Sequence, residues 1–320
     1  MGSSKTVVLA ALFANGAIAI LKFVAFLLTG SASMLSETYH SISDTGNQVF
    51  LLIGIRYGAQ KADRRHPFGY GKAQFFYSFL VSVLLFGIAG WESAKHGFSQ
   101  LTESGAHGGS EAVEFLGFSY DPALSFDPVY VSYAVLLGAF AFETYALIKA
   151  RAEMHRQMDR HGWDGYPEAF RKTSDVTTLT ALTEDTIALA GIVLALVGLV
   201  LEQATGNAAY DAAAAVAIGL MLMGFALALA WQNKRLLLGE SMPAAEEREL
   251  REIVAGWDGV EDVIDFRTVY FGPERILVTA DVAFADEFDT ESMDDRIAAI
   301  EAALKEREPG IRTVYVEPEH

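Results

Sequence analysis

A chain of 320 residues that is 52% apolar, with a mean hydropathy of +0.25, is too hydrophobic for an ordinary soluble protein. At 20% charged residues it is also too polar to consist of membrane spans alone, so a membrane bundle joined to a soluble domain fits best. A net charge of −17 argues against nucleic acid and anionic lipid as partners. The absence of cysteine excludes disulfides and thiolate metal sites, leaving His, Asp, Glu or backbone oxygen for any metal.

In chain order, the opening run MGSSKTVVLAALFANGAIAILKFVAFLLTG has span length and no small-residue cleavage site, so it reads as a retained first helix. MGSSKT fits the loose myristoylation pattern, which chance explains better. Six stretches are long enough to cross a bilayer, at about 7–29, 34–57, 74–95, 128–149, 174–201 and 209–232. Positive charge gathers in alternate connections. Lys61, Arg64, Arg65 and Lys72 lie in the first. Lys149, Arg151, Arg156, Arg160, Arg171 and Lys172 lie in the next, and Lys234 and Arg235 follow the sixth span. The segments 30–33, 97–127 and 202–208 carry no Lys or Arg, so the positive-inside rule places both termini in the cytoplasm. His107 and Glu111, in the Gly-rich start of the 97–127 segment, read as residues of a solvated outer loop.

Beyond Pro243 the pattern changes. AAEERELREIVAGWDGV has the spacing of an amphipathic helix, VIDFRTVYFG and ERILVTADVAFAD alternate as strands, residues 290–307 form a second helix, and IRTVYVEP a last strand. This tail, from Gly239 onward, holds 22 acidic and 8 basic residues and so carries −14 of the net charge. The predicted fold is a membrane all-α six-helix transmembrane bundle over 1–238, followed by a small α+β (αββαβ) cytoplasmic domain over 239–320.

Ionisable residues inside the spans carry the chemistry, because each costs at least ~2.5–3.5 kcal/mol in lipid without a partner or a wet cavity. Span two has Glu37, His40 and Asp44, the last two stacked four residues apart on one helical face. Span five has Glu184 and Asp185, and span four has Glu143. No basic residue lies deep in spans two or five, so these acids read as uncompensated and in need of a cation. Imidazole with carboxylates suits Zn²⁺ or a neighbouring first-row ion better than Ca²⁺ or Mg²⁺. Such a site binds a dication when deprotonated and releases it on protonation, which makes a transport cycle plausible. Asn15, Asn47 and Glu143 border the cavity or tie helices together. Asp211 either guides a released ion or caps a helix.

Taken together, the chain resembles the cation diffusion facilitator family over almost its whole length, and within it the zinc transporter nine branch. His40-Ser-Ile-Ser-Asp44 is similar to the family's span-two ligand pair, ADRRHPFGYGKAQ at 62–74 to the loop after span two, and Asp185 in EDTIALAG to the second span-five ligand. The first span-five position falls on Ala181, which cannot ligate. On a helix it points between Glu184 and Asp185, so Glu184 or water supplies the fourth ligand. The resemblance implies a second, weaker metal site at Asp63 and His66, where Tyr70 stands in place of a histidine. It also implies a tail that dimerises. That tail holds no tight metal, because Ile264, Ala280 and Tyr315 fall where zinc-binding relatives have histidines, and His320 at the extreme end is not expected to ligate. The expectation is a homodimeric exporter in a bacterial-type inner membrane, without prosthetic group and not an enzyme. It would carry Zn²⁺ foremost, with Fe²⁺, Mn²⁺ and Co²⁺ open, by alternating access and proton antiport. Two other classes stay open: an intramembrane metal-dependent hydrolase, disfavoured by the lack of a nucleophile beside a base, and a non-transporting metal sensor.

Overall fold

A computed structural model of the protein describes residues 2–103, 113–115, 118–120, 129–273, 275–285 and 290–319. In chain order the elements begin with α1 (Gly2–Thr29) and α2 (Ala32–Gly58). Next, α3 (Ala73–Leu84) runs through a π-helical turn at Leu85–Gly90 into α4 (Trp91–Glu103). A short antiparallel hairpin follows, β1 (Val113–Phe115) and β2 (Phe118–Tyr120). Then come α5 (Val129–His161), α6 (Tyr166–Lys172), α7 (Val176–Thr205) and α8 (Ala209–Leu238). The tail comprises α9 (Ala244–Ala255), β3 (Val260–Gly272), β4 (Arg275–Phe284), α10 (Thr290–Arg307) and β5 (Ile311–Glu319). His107, Glu111 and His320 lie outside the described residues.

Contacts divide the chain into two compact units. One takes Met1–Ile53, Tyr77–Trp163 and Thr177–Trp231; the other takes Gly54–Phe76, Asp164–Val176 and Gln232–His320. The tail therefore shares its unit with two connections that a linear cut at residue 238 assigns elsewhere.

The first unit is a helical bundle. Among the described residues four helical runs are long and apolar enough to cross a membrane: Ala73–Thr102, Val129–His161, Thr178–Thr205 and Ala209–Leu238. A further apolar stretch, Asn15–Thr29, is shorter. At 27 residues α2 has the length, but Glu37, His40, Asp44, Asn47 and several Ser and Thr side chains dilute its apolarity. Its polar face is nevertheless buried inside the bundle. The core joins Phe26 of α1, Leu35 of α2, Leu85 of the π-turn, Leu136 of α5, Ile192 of α7 and Leu222 of α8. Leu137, Leu220 and Leu227 point outward, as lipid-facing side chains do. Helix backbones meet closely where glycine allows it: a Cβ on Gly219 of α8 would stand 2.4 Å from the backbone nitrogen of Ala94 in α4.

In the second unit β4 is the central strand, antiparallel to β3 and parallel to β5. A parallel neighbour needs a crossover connection, and α10 is that crossover. Alternation along β4 buries Ile276, Val278, Ala280, Val282 and Phe284 in one core with Leu250 and Val254 of α9 and Ile300 and Leu304 of α10. The connection between α2 and α3 packs on the β3–β4 turn. Phe68 lies 5.0 Å from the Phe271 ring, and Arg275 Nη1 donates to the Gly58 carbonyl at 3.2 Å. Gly71 must be glycine here, because a Cβ would stand 2.1 Å from the Phe271 carbonyl oxygen.

Candidate metal site

Spacing of three, four and three residues puts Glu37, His40, Asp44 and Asn47 along one stripe of α2. All four are buried. His40 Nδ1 lies 3.5 Å from Asp44 Oδ1, too far for a good hydrogen bond. Both ring nitrogens of His40 and Asp44 Oδ1 are buried with no hydrogen-bond partner. Buried polar groups are nearly always satisfied, so three orphaned polar atoms in one place make this a candidate ligand site.

Across the interior, α7 supplies buried Glu184 and half-buried Asp185. Asn47 Nδ2 donates to Glu184 Oε1 at 2.6 Å, which fastens α2 to α7 one turn from Asp44. Buried Glu143 of α5 completes a set of four carboxylates, since the charges of Glu184, Glu143 and Asp185 all act on Asp44. His40 and Asp44 are thus brought together, with Glu184 and Asp185 beside them. Among the described residues no three His, Asp or Glu side chains converge closely enough to form a finished metal cage. The carboxylate of Glu184 is turned onto Asn47 instead. Asn15 is only half-buried on α1.

One sequence-based reading needs correcting and another is sharpened. Glu37 is not uncompensated: Lys22 Nζ of α1 donates to Glu37 Oε2 at 2.7 Å, and neither side chain has any exposure. The sequence signal for Lys22 is its place inside IAILKFVAFLL, where a lysine is as expensive in lipid as a carboxylate and needs a partner in the same way. Asp211 caps a helix, as one of its two readings expected, but the helix is α2 and not its own. It accepts from Ser31 Oγ at 2.9 Å, from the Ser33 backbone N–H at 3.2 Å and from Ser33 Oγ, so it caps the start of α2 from α8.

The weaker candidates, Asp63 and His66, sit on the α2–α3 connection. Asp63 Oδ1 accepts from the backbone N–H groups of Arg65 at 2.8 Å and His66 at 2.7 Å, and Oδ2 accepts from Tyr70 Oη at 2.7 Å. The Tyr70 hydroxyl and these N–H groups hold the Asp63 carboxyl below its ordinary range, while the same bond pushes the Tyr70 phenol up to about 12. His66 Nδ1 stands 3.6 Å from Asp63 Oδ1, its ring 4.1 Å from that of Tyr70. Asp63 is already occupied in shaping its own loop.

Residues 8–238 match the cation efflux transmembrane domain and residues 242–320 the cytoplasmic domain of cation efflux proteins. The chain belongs to the cation efflux family. With its apolar helical runs, this makes it an integral membrane protein. This cation efflux chain is 29% identical over 278 residues to the human protein named proton-coupled zinc antiporter SLC30A9, mitochondrial, covering 87% of this chain and 45% of the relative. To metal tolerance protein C4 of Arabidopsis thaliana it is 25% identical over 288 residues, 88% of this chain and 57% of that one. To the cation-efflux pump FieF of Escherichia coli O127:H6 it is 26% identical over 258 residues, 81% and 74% respectively. The chain spans about half the length of the human and plant relatives it matches.

Proposed function

We propose that this chain is a divalent metal cation efflux transporter, carrying Zn²⁺ foremost, that works by alternating access with protons as counter-ion. The observation that carries the reading is the buried His40–Asp44 pair with its unsatisfied nitrogens and oxygen. Two ligands of a tetrahedral Zn²⁺, each ~2.0–2.1 Å from the metal, stand ~3.3 Å apart. The 3.5 Å between His40 Nδ1 and Asp44 Oδ1 is close to that span. Asp185, and Glu184 once released from Asn47, complete the set from α7. Protons arriving on the imidazole and carboxylates displace the dication, and their departure restores the site. Fe²⁺, Mn²⁺ and Co²⁺ use the same donor types and differ mainly in affinity order. Asp63 and His66 are the lesser candidates, because Asp63 already serves three donors.

The proposed topology has six spans within residues 1–238, the first two being α1 and α2, with both termini on the cytoplasmic face of an inner membrane. Residues 239–320 form the αββαβ cytoplasmic domain and the surface on which two copies pair. The names of the relatives, antiporter and efflux pump, support the transport reading.

The experiment is Zn²⁺ flux into proteoliposomes under an imposed pH gradient, with Asp44→Ala beside the parent. Gradient-dependent flux that vanishes in the variant supports a coupled transporter working through this site. A parent that binds Zn²⁺ and moves none of the four metals would be a sensor instead.

A further inference from the structure

The Lys22–Glu37 ion pair has no role in the proposed cycle, yet it sits one helical turn from the proposed ligands. Glu37 precedes His40 by three residues and Asp44 by seven, on the same stripe of α2. It is the next carboxylate toward the N-terminal end of that helix, the end assigned to the outer face. Only one of its oxygens is satisfied. Oε2 takes the Lys22 ammonium, while Oε1 is buried with no hydrogen-bond partner. Oε1 faces α7 where that helix has no side chain: a Cβ on Gly191 would lie 2.4 Å from it. An ion pair serving only to tie α1 to α2 would be expected to satisfy both oxygens, since a bare buried carboxylate oxygen is costly. Lys22 is also close enough for its charge to act on His40, Asp44 and Glu143.

We propose that Glu37 is a relay carboxylate on the outward limb of the transport path, and that Lys22 is the tethered cation that occupies it while the path is empty. A dication leaving His40 and Asp44 outward meets the unpartnered Oε1 first. Its double charge competes with the single charge of the ammonium for the carboxylate. When the ion has gone, Lys22 closes on Glu37 again and opposes return. The inference rests on the transport reading above and assigns Glu37 no part in equilibrium binding at His40 and Asp44.

The test is carried out on the full chain in proteoliposomes, with equilibrium Zn²⁺ binding measured in parallel. Lys22→Met/Glu37→Gln removes both charges at nearly constant volume. Its maximal flux should fall by about tenfold or more, while KM and the equilibrium dissociation constant stay within about twofold of the parent. Glu37→Asp keeps the ion-pair charges and withdraws the unpartnered oxygen by one methylene, so it should show the same split if the neutral variant does not fold. Parental flux in a folded variant would reduce the pair to a structural tie and sink the proposal. A dissociation constant that weakens in step with flux would place Glu37 in the binding site itself, which also overturns the relay. If the parent moves no metal, the transport reading falls, and the relay with it.

Discussion

Lys22→Met is the perturbation whose cost the structure states most directly. The ammonium and the Glu37 carboxylate are 2.7 Å apart and neither is exposed. Removing one member of a buried pair leaves an uncompensated charge and typically costs ~3–5 kcal/mol. Nothing nearby relieves it, since Glu37 Oε1 already lacks a partner and Gly191 presents no side chain. For a membrane unit of roughly 200 residues, each kcal/mol lowers Tm by about 2–4 °C, so a drop of about 6–20 °C is expected. Glu37→Gln should cost a similar amount by stranding the ammonium. The double variant should return to within about 2 kcal/mol of the parent, because two neutral side chains of like volume leave neither charge buried alone. The assay is thermal unfolding of the detergent-solubilised protein by tryptophan fluorescence, run as a double-mutant cycle. Single variants costing less than about 1 kcal/mol, or costs that simply add, would refute the assignment of a buried, mutually dependent pair.

Asp211→Ala should destabilise the start of α2 by about 2–4 kcal/mol, as a helix cap and further charge-assisted hydrogen bonds are lost together; faster hydrogen exchange across residues 32–36 is the readout. Gly71→Ala should cost about 1–3 kcal/mol or more in the second unit, because the new Cβ meets a backbone carbonyl that cannot rotate away; it is read from exchange in the β3–β4 turn. The Asp63–Tyr70 latch sets a pH window. The carboxyl of Asp63 is depressed, so its contribution is present above the ordinary value near 4 and is lost only as pH falls through the lower folded value. The phenol of Tyr70 is raised, so the latch is intact below pH ~10 and fails as pH climbs through about 12. Tyr70→Phe should move the Asp63 titration up toward the ordinary carboxylate value but leave it below, because the Arg65 and His66 N–H bonds remain; NMR titration reads the shift.

Much of the candidate site was legible because charge in lipid is expensive whatever the fold. His40, Asp44, Glu184 and Asp185 stand out against apolar surroundings in one dimension, and helical spacing alone puts His40 over Asp44. The alternation that buries one face of β4 was equally plain. Pairing between helices was not, because it depends on which faces meet and at what depth. A lysine in the first helix neutralises Glu37, Asn47 takes the carboxylate of Glu184, and Asp211 crosses from α8 to cap α2. Each contact joins residues far apart in the chain, and no local periodicity encodes such a distance. By itself the sequence determined which residues must be kept from lipid, since desolvation penalises a charge at any position in a span. Only the tertiary structure decided which of them find partners and which, like the nitrogens of His40, are left without one, because hydrogen bonding is settled by ångström-scale geometry between helices.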